Sequence, residues 1–169
     1  DMSVDGDGVV RRDLVHVTGQ NDATVSFPLR VLEVATGDSS LRAAMDEGRH
    51  QDAWLSADGG GYHNEIDAGL GLQRLLRFRE PGSYPSYSLA DVLDGTVPET
   101  MLQNRIVLVG STAPSLRDLF EVPHTRFQRG ETLFTMAGLE VHANRLAALI
   151  DERNGTLYQG GIMPGWGNL

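Results

Sequence analysis

The residues with the most chemistry to offer are Ser111, Thr112, Arg117 and Asp118, carried on the run Gly110-Ser111-Thr112-Ala113-Pro114 and its continuation, together with His142. A glycine permits close approach of the backbone to a bound group, and the two hydroxyls supply donors and acceptors. Arg117 adds a fixed cation, and Asp118 a carboxylate able to orient any of the others. His142 would respond near neutral pH if the last helix turns it towards this loop. The run follows a β-branched segment, and open α/β sheets gather ligands at the carboxyl ends of their strands. The competing reading is an ordinary strand-to-loop turn in which Asp118 pins the loop to the helix. Both readings stand at this level.

Other chemistries are weaker. Lys and the glycine spacing of a phosphate-binding Walker loop are missing. Ser111, Asp118 and His142 contain the residue types of a hydrolase triad, but no Gly-x-Ser-x-Gly elbow presents the serine. Glu140 and His142 stand two apart, about 200° around a helix, and cannot hold one ion without outside ligands. Asp5-Gly6-Asp7-Gly8 has the look of a calcium loop. It fails, because Arg12 falls at the twelfth position counted from Asp1, where a bidentate carboxylate is required. A β-turn is the expectation there. No cofactor and no metal is expected.

Composition narrows the classes. The 169 residues suit one domain, and 40% hydrophobic content is enough for a core. The net charge is −9, with no basic block to neutralise phosphates, so nucleic-acid readers and anionic membrane surfaces are excluded as partners. All 14 basic residues are Arg, and Cys is absent, which removes disulfides and thiolate chemistry. No run approaches the roughly 20 apolar residues of a membrane helix. The segment 159–169 reads as a linker towards a membrane helix, leaving 1–158 as the folded domain.

The elements that must position these residues follow from patterning. Gly6-Asp7-Gly8 feeds an alternating strand from Val9 to Val17; Gly19 to Asp22 turns the chain, and Ala23 to Phe27 returns as the second arm of a hairpin. Pro28 opens a helix over Leu29 to Ala35 that Gly37 closes. From Asp38 to Leu72 the pattern weakens around a flexible Asp58-Gly59-Gly60-Gly61. A strand is expected over Leu75 to Arg79, and a Ser88-capped helix over Leu89 to Leu93, stopped by Asp94-Gly95. Arg105 to Gly110 reads as a strand buried on both faces. A helix from Leu139 to Arg153 buries Leu139, Ala143, Leu146 and Ile150, and Asn154-Gly155 ends it. The expected fold is α/β: a mixed, partly parallel sheet flanked by helices, with an N-terminal β-hairpin.

Five pieces in order now carry a family likeness: Asp5 to Arg11, Tyr87 to Gly95, Asn104 to Ala113, then Asp118 and Pro123, then Gly138-Leu139-Glu140-Val141-His142-Ala143-Asn144. Together they resemble a CHASE domain of the second type, a cyclase- and histidine-kinase-associated sensory extracellular module. Val122 stands where the family usually has Thr, and the family's more N-terminal part is absent from this stretch. The resemblance implies a signal-input domain on the periplasmic or extracellular side, anchored through flanking membrane helices. It implies a cytoplasmic cyclase or kinase output and an unidentified small-molecule or periplasmic protein ligand. A homodimer is expected on a separate ground: without the family's N-terminal part the apolar strand at Ile106 to Val109 loses neighbours, which another copy or a separate fragment should cover. The chain itself is then not an enzyme. Two other functions remain in play: a small hydrolase-like enzyme, and a dimerisation module that binds no ligand.

Overall fold

The computed structural model describes residues 3–18, 23–47, 71–123 and 135–156. The expected turn at Gly19 to Asp22, the loop at Asp58 to Gly61 and the linker at 159–169 lie outside the described residues.

Asp5-Gly6-Asp7-Gly8 forms the β-turn that its composition suggests. The Gly8 amide donates to the Asp5 carbonyl at 2.8 Å, and Gly8 has φ +86°, a region costly for any side chain. Arg11 fixes the turn from outside, its guanidinium reaching Asp5 and both carboxylate oxygens of Asp7 at 2.8 Å. The chain then enters β1 (Arg12–Thr18), which pairs antiparallel with β2 (Ala23–Val25) on one edge and β3 (Gly71–Leu75) on the other. The register of β1 against β3 slips between Leu14 and His16. The hairpin is therefore as expected. The third strand falls earlier than Leu75 to Arg79, because the ladder with β1 selects Gly71 to Leu75, and only Leu76 continues it through a bond to the Arg11 carbonyl.

Ser26 caps α1 (Phe27–Thr36) by accepting from the Leu29 amide, with a proline in the first turn and Gly37 closing the helix at φ +67°. A short α2 (Ser40–Asp46) follows; it lies in the region where the sequence pattern was weak. Ser88 caps α3 (Leu89–Leu93) as its position suggested. Two strands of two residues, β4 (Leu119–Phe120) and β5 (Met136–Ala137), pair antiparallel. β5 runs directly into α4 (Gly138–Arg153), the longest described helix.

Two apolar clusters meet along α4. One joins Val15 of β1, Leu29 and Leu32 of α1, Met45 of α2, and Leu146 and Leu149 of α4. The other joins Val10, Leu76, Phe78, Val122, Met136 and Val141. Each fully buried Val or Leu contributes about 1.5–3 kcal/mol, so α4 is the element both clusters depend on.

Three expectations are corrected. The described strand pairs are antiparallel, and among the described residues parallel geometry occurs only as an isolated bridge between Val9 and Glu121. Arg105 to Gly110 forms no strand and joins no sheet among the described residues, and Val107 and Val109 are 52% and 80% exposed. A β-branched run becomes a buried strand only when neighbours supply its ladder, and among the described residues none does. The buried face of α4 is also rotated. Val141, Asn144, Arg145, Leu146 and Leu149 are buried, while Leu139, Ala143 and Ile150 are half-exposed. Arg145 turns inwards because a buried carboxylate waits for it on β1.

Candidate functional site

That carboxylate is Asp13. It has no solvent exposure, Arg145 has 2%, and both Nε and Nη2 of the guanidinium reach Asp13 Oδ1 at 2.5 Å. Burial pushes the Asp13 carboxyl above the ordinary carboxylate range, and Arg145, with Arg74 behind it, opposes that rise. Further pairs tie α4 to the same scaffold. Arg74 of β3 meets Glu152 at 2.5 Å, and Arg153 reaches Asp38 beyond α1 at 3.2 Å. Asn144 accepts from the Arg79 amide at 2.8 Å and donates to the Glu140 carbonyl at 2.9 Å. Glu140 takes the Gly82 amide at 2.6 Å. Glu140 and Asn144 thus share a face, as their spacing implied, and use it to hold the chain after β3.

The candidate loop crosses the start of this helix. Gly110 lies against Leu139: a Cβ there would sit 3.1 Å from Leu139 Cδ1. At the other end of the loop, the Asp118 carbonyl accepts the Gly138 amide at 2.9 Å. The Asp118 carboxylate packs so closely on Gly138 that a Cβ on residue 138 would overlap both its oxygens. Gly138 is the first residue of α4, and Ala137 before it offers no side-chain cap. Asp118 therefore places negative charge where the helix presents unsatisfied amides and the positive end of its dipole.

His142 stands one turn further along, half-buried. Its ring packs edge-on against Phe27, with centroids 5.1 Å apart, and Nδ1 lies 3.3 Å from the Arg145 guanidinium. Burial, reinforced by Arg145, pulls its pKa down to about 4, with Asp118 acting the other way. The imidazole is thus neutral at physiological pH, and the near-neutral response expected of it does not survive this environment.

The remaining candidates lie on the exposed side of the loop. Ser111 Oγ accepts the Ala113 amide at 3.2 Å, a local turn bond. Thr112 is exposed. Pro114 to Leu116 makes a single 3-10 turn ended by Arg117 at φ +54°, a left-handed conformation rare outside glycine and asparagine. Arg117 is exposed and in no ion pair among the described residues. The fold thus brings Asp118 and His142 to the first two turns of α4, while Ser111, Thr112 and Arg117 face solvent from the loop.

Sequence reasoning missed Asp13, Arg145 and the Arg74–Glu152 pair. Arg145 carried a signal in retrospect: a cation four residues before the apolar Leu149 and four after the apolar Val141 falls on the buried stripe. Among the described residues, no group of three or more His, Asp or Glu side chains is placed to hold a metal ion. No described helix is long and apolar enough to cross a membrane.

Comparison with known proteins gives one family. No curated protein and no solved structure matches the chain. The model of the CHASE2 domain matches residues 1–167, nearly the whole sequence, in agreement with the five ordered pieces read from it. The chain belongs to the CHASE2 family of sensory extracellular receptor domains.

Proposed function

We propose that this chain is the signal-input domain of a transmembrane receptor, held on the periplasmic or extracellular face, and that it controls a cytoplasmic nucleotide cyclase or kinase. The observation that carries the reading is the family match over residues 1–167. The geometry supplies a mechanism consistent with it. The loop from Gly110 to Asp118 is the ligand contact: Ser111 and Thr112 offer hydroxyls, Arg117 a cation for an anionic group, and Asp118 a carboxylate. The ligand is a small molecule or a periplasmic protein. A ligand that engages Asp118 competes with the start of α4 for that carboxylate. Because α4 is tied to β1, β3 and the segment after α1 by ion pairs, the helix responds as a unit, and movement at Gly138 arrives at Arg153. In this reading the receptor is a homodimer, as paired cyclase and kinase outputs require, and the chain has no catalytic role of its own.

Sidedness tests the reading without knowledge of the ligand. These 169 residues contain no Cys, so Val34→Cys, at an exposed position of α1, gives a single reactive thiol once cysteines elsewhere in the encoded protein are replaced. In intact cells expressing the encoding gene, a membrane-impermeant maleimide should label it without permeabilisation. Labelling that requires permeabilised cells would overturn the placement, and the sensor reading with it.

A further inference from the structure

Two contacts hold the His142 ring, and one of them lasts only while the ring is neutral. Its Nδ1 lies 3.3 Å from Nη1 of Arg145, one turn further along α4. A guanidinium carries N–H donors and no acceptor, so Nδ1 must accept and the ring proton must sit on Nε2. The other contact is the edge-on packing against Phe27 of α1, a side chain 54% exposed. Solvent thus reaches the half-buried imidazole, and Nδ1 is the nitrogen left to take a second proton. The charged groups around the ring are unequal. Arg145 is buried and anchored, with Nε and Nη2 both on Asp13 of β1. Asp118 acts on His142 with the opposite sign, and its carboxylate rests against Gly138 at the first residue of α4. The charged residues of α1, Arg30 and Glu33, pair with each other at 2.9 Å, and Glu140 is taken up by the Gly82 amide.

We infer that His142 is an acid-operated switch at the start of α4: a proton at Nδ1 breaks its bond to Arg145 and turns the imidazolium to the Asp118 carboxylate. With Nδ1 protonated, two N–H donors of like charge face each other where one acceptor is needed. Arg145 does not yield, because it is buried and Asp13 holds it by two contacts. A proton taken up by Asp13 goes to Oδ2, which has no hydrogen-bond partner among the described residues, and leaves Oδ1 to accept from Arg145. The imidazolium is the member that moves, since the Phe27 ring edge is its remaining contact. A cation near the first turn of a helix also opposes the macrodipole, so it needs a carboxylate beside it. Asp118 is the carboxylate that acts there, and pairing favours the charged form of both partners. The cost falls on Gly138: the first turn of α4 gives up the anion that offsets its unsatisfied amides. Burial and Arg145 keep the ring neutral down to about pH 4, so the switch is silent at neutrality and set for acid. In a receptor this makes acid an input at the junction of loop and helix, a consequence that rests on the sensor reading. The switch itself rests on contacts within this chain.

The test is an NMR titration of the nitrogen-labelled chain from about pH 7 to about pH 3, on wild type, His142→Gln and Asp118→Asn. The His142 signal, assigned by its loss in His142→Gln, should show the proton on Nε2 at neutral pH and gain one at Nδ1 near pH 4. Across that transition the ring contact to Phe27 should disappear from the NOE spectrum. The Gly138 amide should shift with the same midpoint while far-UV circular dichroism keeps its helical signal. In His142→Gln the Gly138 amide should lose that step, and in Asp118→Asn the proton affinity of His142 should fall by about threefold or more. An Nδ1–H tautomer at neutral pH would overturn the inference, as would a Phe27 contact that persists in acid. A Gly138 step that survives in His142→Gln would assign the change to Asp118 alone and sink the switch. An unchanged His142 midpoint in Asp118→Asn does the same. Unfolding at the His142 midpoint would make the event acid denaturation and not a switch. If Asp118→Asn fails to fold, the titrations of wild type and His142→Gln decide. Sidedness of Val34→Cys is a separate readout, so a failure here leaves the sensor reading standing.

Discussion

Arg145→Met leaves the Asp13 carboxylate buried with its closest cation gone. Asp13 has no solvent exposure, and its two contacts to Arg145 at 2.5 Å are what offset the loss of hydration. Removing one member of a buried pair costs about 3–5 kcal/mol. Arg74 still attracts Asp13, so the lower end, about 3 kcal/mol, is expected here at pH 7. That is a large part of a typical domain stability of about 5–15 kcal/mol. The pH dependence has a definite sign. Asp13 has a raised pKa in the fold, so the native state keeps a proton that the unfolded chain has released, and stability falls as pH rises between the two values. Without Arg145 the folded pKa rises further. The penalty should therefore shrink towards acid, where Asp13 is neutral, and be fully present at neutral pH. Replacing both residues, Asp13→Leu with Arg145→Met, should recover most of the loss, because an apolar pair needs no hydration. Urea unfolding followed by far-UV circular dichroism at several pH values measures all three. A single variant within about 0.5 kcal/mol of wild type, or a double variant no better than the single, would refute the reasoning.

Three further outcomes follow from the same contacts. Gly138→Ala should displace the Asp118 carboxylate and lower the melting temperature, whereas in an Asp118→Ala background the same change should be neutral or stabilising; a coupling below about 0.5 kcal/mol in this cycle would deny the contact. His142 should remain neutral at pH 6 in an NMR titration, since its pKa is held at about 4. Because protonation favours the unfolded chain, stability should fall as pH drops from about 6.5 towards 4, a slope that His142→Gln should remove. Gly8→Ala meets no neighbouring atom but forces a side chain into φ +86°, so it should cost about 1–2 kcal/mol in thermal melts by backbone strain alone.

What could be read from the sequence was local. The hairpin, the helix opened by Ser26 and Pro28, the Ser88 cap, and the Asn154-Gly155 stop each depend on residues within one or two turns, and each is found in place. The start of α4 was legible to one residue, and the grouping of Asp118 and His142 near it followed from that helix. Longer-range outcomes were not legible. Asp13 and Arg145 are 132 residues apart, and nothing local marks a carboxylate in a strand for burial. With that pair Arg145 occupies the buried face of α4, Leu139 and Ala143 are left half-exposed, and Ile150 packs at the edge of the first cluster. β3 was misplaced for a similar reason, since Gly71 to Leu75 has mixed patterning and owes its position to β1. The run at Ile106 to Val109 has the composition of a buried strand, but burial is a property of its neighbours, and composition does not supply them.

The central claim is that the loop from Gly110 to Asp118 receives the signal and passes it to α4. The direct measurement is the output of the intact receptor, as cyclic nucleotide or phosphoryl transfer, for wild type, Ser111→Ala and Asp118→Asn, with the melting temperature of each protein recorded alongside. Both variants should change signalling, and Ser111→Ala should do so with little change in melting temperature, because its lost turn bond is exposed. Full signalling and full stability in both variants would contradict it, and loss of stability in Asp118→Asn with normal signalling would leave that carboxylate as a pin for α4 and nothing more.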